Sequence, residues 1–351
     1  MIEKLPKSKI LSPNQRIPHF SNNYELTSKN LLARNLKRLW RVLIKDGHLE
    51  DAELCNSIPL TFELPSEYLM FVEEYKKNPG ATWIVKPASG CQGRGIFLFQ
   101  KLRDLNSKRL MESNSDSNSG CGTSYVVQRY IESPYLLAGH KFDLRIYALV
   151  TSEIKALNMF QFSPLKIWLA REGFARLTGV KYSLSTLDDK VHLTNVAIQK
   201  STCPSRNLIP ACSTSSATKK PMLTVRSHAY VESDEGNQRS ETASECKGVK
   251  WDLRKLRQFL SAKHGEENVE IIFQRITRLI TVSLRAVQPV IAQDAHCFEL
   301  YGYDIILDSN LYPWILEVNA SPAMVPTDEE DYRLKYDLIT DVLNVLDFEG
   351  K

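Results

Sequence analysis

An α+β fold is predicted by three features of this 351-residue chain. Strand-like and helix-like segments interleave along it. One strand, KFDLRIYALV at 141–150, alternates polar and apolar side chains from Lys141 to Ala148. Near the end, FELYGYDIILDSNLYPWILEVNASP at 298–322 has the pattern of two strands joined by a turn at Asp308-Ser309-Asn310. An α/β arrangement is the nearest alternative class.

The elements follow in order. Leu32, Leu36, Leu39 and Leu43 recur at helical spacing and predict a helix over 28–46. LPSEYLMFVEEYKKNPG predicts another at 64–80, stopped by Asn78-Pro79-Gly80. A strand at 81–86, the glycine-rich PASGCQGRG and a second strand, IFLFQ, come next. Ser, Asn and Gly dominate 107–124, which reads as a loop. SYVVQRYI and KFDLRIYALV are strands, and LKIWLA and a short piece near GFARL extend the sheet. Residues 201–244 hold fourteen Ser/Thr with few large apolar groups, the composition of a disordered insertion. Helices are expected over about 250–262 and 266–292, then the 298–319 hairpin. Thr327-Asp328-Glu329-Glu330 resembles a capping box opening a last helix to about 346.

Composition narrows the function classes. The chain is 43% hydrophobic and 25% charged, ordinary for a globular protein, and its length suggests roughly two domains. No apolar run is long enough to cross a bilayer, and the first residues lack the apolar stretch of a signal peptide. Seven scattered cysteines without a CxxC pair argue against a disulfide framework or a zinc site. Residues 1–50 carry ten Lys/Arg against four Asp/Glu, an excess of six within a net charge of +4. Such a region can meet an acidic partner, or be only the solvated face of a helix.

The hairpin places Asp304, Glu317 and Asn319 among apolar neighbours. Period-two alternation puts Glu317 and Asn319 on one face and Trp314, Leu316 and Val318 on the other. A turn of about four residues brings Asp304 nearly opposite Glu317. Like charges facing each other destabilise a sheet unless a cation lies between them. Two carboxylates and an amide oxygen suit Mg²⁺; a polar face turned to water is the other reading. Gly90-Cys91-Gln92-Gly93-Arg94-Gly95 joins two strands and opens no helix, which argues against the Rossmann and Walker patterns. It reads as a flap over phosphates or as a plain hairpin turn. Lys86 stands just before it. On KFDLRIYALV, Phe142, Leu144, Ile146 and Ala148 face one way, and Lys141, Asp143, Arg145 and Tyr147 the other. Two cations and a carboxylate on one face suit a polyphosphate site, or a solvated edge. Arg176 in REGFAR and the VHLTN segment, 191–195, add polar groups that could equally be structural.

WIVKP, GCQGRGIF, VVQRYI, HKFDLRIYALV, REGFAR, VHLTN, FELYGYDII and WILEVNASP occur in this order between about 81 and 322. As a set they resemble the tubulin tyrosine ligase-like family of ATP-grasp ligases. YLMFVEEYKKNPGATW, VHLTNVAIQK and HCFELYGYD look most like its polyglutamylase branch. The resemblance implies an ATP-grasp fold, with ATP between a flap subdomain and a larger mixed sheet. Lys86 and Lys141 match ATP-contacting lysines. Gln92, Gly93, Arg94 and Gly95 match the flap, and Gln128, Arg129, Tyr130 and Ile131 the adenine pocket. Asp143, Arg145, Arg176, His192, Thr194 and Asn195 match the active centre, and Asp304, Glu317 and Asn319 the Mg²⁺ ligands. Arg94 stands where relatives often have lysine. Three regions are expected: a truncated or reduced N-terminal region at 1–63, a flap subdomain at 64–132, and a C-terminal subdomain at 133–348 interrupted by the insertion.

The activity implied is ATP-dependent addition of free glutamate to glutamate side chains in acidic tubulin tails through an acyl phosphate. A glycylase, a tyrosine ligase and a non-catalytic microtubule-binding relative are the alternatives. Microtubules and accessory subunits are the expected partners, without nucleic acid or membrane insertion. A cytoplasmic, cytoskeletal location is expected, a cilium or basal body included.

Overall fold

The apolar stripes predicted along the chain close over one large core and three smaller clusters among the described residues. The computed structural model describes residues 15–88, 93, 95–105, 124–152, 165–199, 250–291 and 296–348. The insertion read at 201–244, and all but the last residue of the loop read at 107–124, lie outside them.

In chain order the elements are β1 (Ile17–Pro18), α1 (Tyr24–Thr27), α2 (Lys29–Lys45), α3 (Leu49–Cys55), β2 (Thr61–Leu64), α4 (Tyr68–Lys77), β3 (Trp83–Pro87), β4 (Phe97–Phe99), α5 (Leu102–Leu105), β5 (Tyr125–Arg129), β6 (Leu136–Leu137), β7 (His140–Ser152) and β8 (Leu165–Lys181). There follow α6 (Asp189–His192), α7 (Val196–Gln199), β9 (Lys250–Asp252), α8 (Leu253–His264), α9 (Glu266–Val287), β10 (Cys297–Leu307), β11 (Pro313–Asn319) and α10 (Glu329–Leu346). The class is α+β. A large sheet runs β1-β10-β7-β8-β9, with β11 also on β10 and β6 on β7. A second sheet runs β2-β5-β3-β4. Every ladder is antiparallel except β1 with β10.

Alternation on β7 decides the layering. Phe142, Leu144, Ile146, Ala148 and Val150 enter the large core. There they meet Leu32, Leu36 and Leu43 of α2, Leu256 and Leu260 of α8, and Ile272, Ile276 and Leu279 of α9. Each fully buried leucine contributes about 1.5–3 kcal/mol, so these helices are held by packing rather than by propensity. The small sheet has its own core, in which Phe71 of α4 meets Trp83 edge-on at 5.1 Å between ring centroids.

Several sequence expectations are corrected. LKIWLA and GFARL belong to one 17-residue strand, β8. The helix expected from 64 begins at Tyr68, because Thr61–Leu64 pairs with β5. The helix expected from about 250 begins at Leu253, capped by Asp252, while Lys250–Asp252 pairs with β8. α9 stops at Val287, two residues before Pro289. Asp328, not Thr327, caps α10: its carboxylate accepts the Asp331 N–H at 2.9 Å, and Asp331 reaches back to the Thr327 N–H at 2.9 Å.

The hairpin also differs. Five residues separate Leu307 from its partner Pro313, and a bulge sets Ile305 opposite Ile315 but Asp304 opposite Glu317. The extra residue is Leu316. It reverses the alternation, so Ile315 and Val318 enter the core while Leu316 and Glu317 both face the cleft described below. Leu316 and Val318 therefore do not share a face.

Candidate active site

The two sheets bound a cleft of about 670 Å³. From β3, β5 and the turn after it come Lys86, Gln128, Arg129, Tyr130 and Ile131; from β7 and β8 come Lys141, Asp143 and Arg176. The α6–α7 segment supplies His192, Thr194 and Asn195, and the hairpin supplies Asp304 and Glu317. Thirteen of the residues singled out in the sequence thus share one wall-to-wall space. Arg145 sits behind Asp304 rather than on the cleft wall, and Asn319 is the register partner of Gly302. Gln92 and Arg94 lie outside the described residues.

Charges of the large sheet form a chain. Arg145 Nε donates to Asp304 Oδ1 at 2.5 Å and its Nη2 to Oδ2 at 3.1 Å. Arg176 Nη2 lies 2.8 Å from Asp304 Oδ2, and Arg176 Nε donates to Asp143 Oδ1 at 2.8 Å. The Thr194 hydroxyl donates to Asp143 Oδ2 at 2.7 Å. Burial would raise the Asp304 pKa, but the Arg176 and Arg145 guanidiniums hold it well below the usual carboxylate range. The arrangement needs Gly302, since a Cβ there would lie 2.9 Å from Pro322 Cβ and 3.3 Å from Arg145 Cδ.

Two lysines have no such partners. Lys86 is 7% exposed, and its Nζ forms no ion pair or hydrogen bond among the described residues. Burial, together with repulsion by Lys29, lowers its pKa to about 8 although Glu317 and Asp304 pull the other way. Lys141, 6% exposed, donates to Tyr130 OH at 2.8 Å and to the His192 carbonyl at 2.7 Å. Burial lowers its pKa to about 7; Asp143 opposes the shift and Lys86 adds to it. Buried ammonium groups without a carboxylate are costly unless an anion joins them.

The His192 ring is fully engaged. Nε2 lies 2.6 Å from the Thr186 carbonyl, which can only accept, so Nε2 carries the proton. Nδ1 then accepts from Tyr130 OH at 2.9 Å. Burial, with Lys141 nearby, lowers the His192 pKa and favours this neutral form. Neither ring nitrogen is left for a substrate.

Sequence reasoning missed Lys29. From the first turn of α2 its Nζ lies 3.2 Å from Glu317 Oε2, and the residue is 6% exposed. The signal was present: Lys29 is three residues before Leu32 and seven before Leu36, on the buried face of the helix.

Asp304 and Glu317 face the cleft from opposed register positions, and both are oxygen donors. Asn319 Nδ2 donates to the Gly302 carbonyl at 3.3 Å, which turns its oxygen away from that contact. Among the described residues no three His, Cys, Asp or Glu side chains form a metal cluster. Mg²⁺ is commonly held by one or two carboxylates plus substrate phosphates, and the donor set here fits that use.

Comparison with known proteins gives this geometry its relatives. The sequence profile of the Tubulin-tyrosine ligase family matches residues 8–219 and 221–350. The chain belongs to the tubulin-tyrosine ligase family. It is 41% identical over 364 aligned residues to the probable tubulin polyglutamylase TTLL9 of Mus musculus, covering 96% of this chain and 69% of that one. It is 40% identical to the probable tubulin polyglutamylase ttll-9 of Caenorhabditis elegans, covering 97% and 70%. The probable alpha-tubulin polyglutamylase Ttll1 of Tetrahymena thermophila is also 40% identical, with 97% and 74% covered. The family resemblance read from eight short segments is therefore borne out along nearly the whole chain. The relatives named here are called polyglutamylases, in agreement with the branch of the family read from the sequence.

Proposed function

We propose that this chain is an ATP- and Mg²⁺-dependent protein polyglutamylase built on an ATP-grasp fold. It joins free glutamate to glutamate side chains of tubulin tails. The observation that carries the reading is the charge balance of the cleft. With both cleft lysines protonated, Lys29, Lys86, Lys141, Arg145 and Arg176 stand against Asp143, Asp304 and Glu317, an excess of two cations that suits a polyphosphate. Kinship with enzymes named polyglutamylases supports the choice of amino acid.

A carboxylate is a poor electrophile at neutral pH, so it must be activated. The acceptor carboxylate oxygen bonds to the γ-phosphorus of ATP and ADP leaves. The amine of free glutamate then attacks the acyl phosphate carbonyl, phosphate leaves and the nitrogen gives up a proton. Lys86 and Lys141 bind phosphate oxygens, and their protonated forms gain the counter-charge that the protein alone does not supply. Arg176 walls the cleft with its Nη1 outside any bond among the described residues, placed to meet the transferred phosphoryl group. Arg145 holds Asp304 in place. Asp304 and Glu317, with the Asn319 oxygen, would hold Mg²⁺, which when bound offsets charge on the phosphates.

The acceptor reading has support on α2. This helix contains no acidic residue, and Arg38, Arg41 and Lys45 are exposed without a partner among the described residues. Cytoplasmic action on microtubules, a cilium or basal body included, with accessory subunits, goes with such an acceptor. No described helix is long and apolar enough to cross a membrane. Mass spectrometry of tubulin tails after incubation with ATP and glutamate, glycine or tyrosine tests the proposal. Added glutamate is expected; added glycine or tyrosine alone, or no addition, would overturn it.

A further inference from the structure

Residues 189–199 bring His192, Thr194 and Asn195 to the cleft without any sheet ladder to hold them. Their only regular structure is the two four-residue helices α6 and α7. Helices this short are not stable by themselves. Beside the contacts of His192 and Thr194, one side chain ties the segment to the end of β8. Gln199 is 1% exposed; its Nε2 donates to the Lys190 carbonyl at 2.9 Å and to the Leu193 carbonyl at 2.5 Å. Its Oε1 accepts the Gly179 N–H of β8 at 2.8 Å.

Gly179 is available because the β7–β8 ladder is irregular there. His140 pairs with Lys181 and Phe142 with Leu177, so 178–180 stand opposite Lys141 alone. The bulge that brackets the cleft lysine thus also supplies the donor that anchors Gln199. The anchored segment makes two contacts with β7. The His192 carbonyl accepts from Lys141 Nζ at 2.7 Å, and the Thr194 hydroxyl donates to Asp143 Oδ2 at 2.7 Å.

We propose that Gln199 is a positioning residue of the nucleotide site. It touches no substrate and acts through Lys141 and Asp143, by fixing the carbonyl and the hydroxyl that orient them. The inference rests on the reading of the cleft as an ATP site.

A double-mutant cycle on the full chain tests it. Gln199→Met keeps the volume and loses the three bonds given above. A non-hydrolysable ATP analogue with Mg²⁺ is titrated by calorimetry, at a temperature where circular dichroism shows native protein, with and without Lys141→Ala. With Lys141 present the Kd should rise about tenfold, the equivalent of one hydrogen bond of ~1.4 kcal/mol. In the Lys141→Ala background it should rise less than about twofold, because the side chain acted upon is gone. The KM for ATP should rise more than kcat falls. Equal factors in both backgrounds, or an unchanged Kd, would overturn the assignment. If Gln199→Met does not fold, Gln199→Glu, which keeps the acceptor for Gly179, enters the same cycle with the same expectations. Hydrogen exchange on the wild-type protein needs no substitution: the analogue should slow exchange across 189–199, and unchanged exchange there counts against the proposal. Failure of wild-type protein to bind the analogue would strike the ATP site itself, a separate result.

Discussion

On one side of the cleft, Asp143, Arg176, Asp304 and Arg145 alternate in sign, and both carboxylates have a guanidinium nitrogen within 2.8 Å. A few residues away, Lys86 and Lys141 are as deeply buried and form no ion pair among the described residues. Both groups are polar clusters on buried strands of a mixed fold. The first has its charges matched within the protein before any ligand enters, and removing one member leaves a buried charge unpaired. The second is incomplete and favours whatever anion enters. A buried ion network therefore does not mark a binding site by its charge; the uncompensated part does.

The comparison breaks most visibly at Asp304. Asp304→Ala leaves Arg145 and Arg176 buried with one carboxylate fewer, and unfolding in urea should show a loss of about 3–5 kcal/mol. A loss below ~1 kcal/mol, the range of exposed pairs, would mean that the chain of charges is not a closed unit.

Glu317→Gln should leave the fold intact, because the hairpin keeps its shape and Lys29 keeps a neutral acceptor. Ligation should fall about 10²–10³-fold, the scale of losing one electrostatic stabiliser. Full ligation by a folded Glu317→Gln protein would sink the metal assignment.

Lys141→Met sharpens the contrast from the other side. Replacing an uncompensated buried cation by an apolar side chain should leave the ligand-free Tm unchanged or raised, while nucleotide Kd rises about tenfold or more for one lost charged hydrogen bond. The pH dependence has a definite sign. Folding lowers the pKa of Lys141 from 10.5 to about 7 and of Lys86 from 10.5 to about 8. Between those values the unfolded chain binds more protons, so this contribution to stability rises as pH goes from about 7 to about 10.5. Nucleotide binding near pH 8 should take up protons, visible as a buffer-dependent binding enthalpy. A binding enthalpy identical in buffers of different ionisation heat would show that the lysines are already charged.

The smallest effect is expected on α2, where the cations are exposed. Arg38→Glu with Arg41→Glu should raise KM for tubulin about two- to fivefold, at a few tenths of a kcal/mol per exposed contact. It should also weaken the salt dependence, since such attraction is screened over about 8 Å at physiological ionic strength. The KM for ATP should stay put. An unchanged KM for tubulin at low salt would leave α2 as a solvated helix face.

Much of this molecule was legible before any coordinates. Alternation on KFDLRIYALV assigned Phe142 and Leu144 to the core and Lys141 and Asp143 to the opposite face, because a strand's side chains can point only two ways. Local pattern likewise located α2, α4, α9 and α10, and the ordered set of short segments carried the family. Three things depended on tertiary contact. The bulge at Leu316, which sets Asp304 opposite Glu317, comes from fitting a five-residue turn to two strands packed on a core. The neutral His192 tautomer depends on Thr186 and Tyr130, the latter sixty-two residues distant in sequence. Lys29 reaches Glu317 only because α2 packs its apolar face on the large sheet. Sequence by itself determined which side chains face which way where an element is regular, since that follows from backbone periodicity; at the Leu316 bulge of β11 the packed hairpin reversed it. Tertiary structure decided which charges meet and which stay uncompensated, since pairing energy depends on distance and burial, and neither is a local property of the chain.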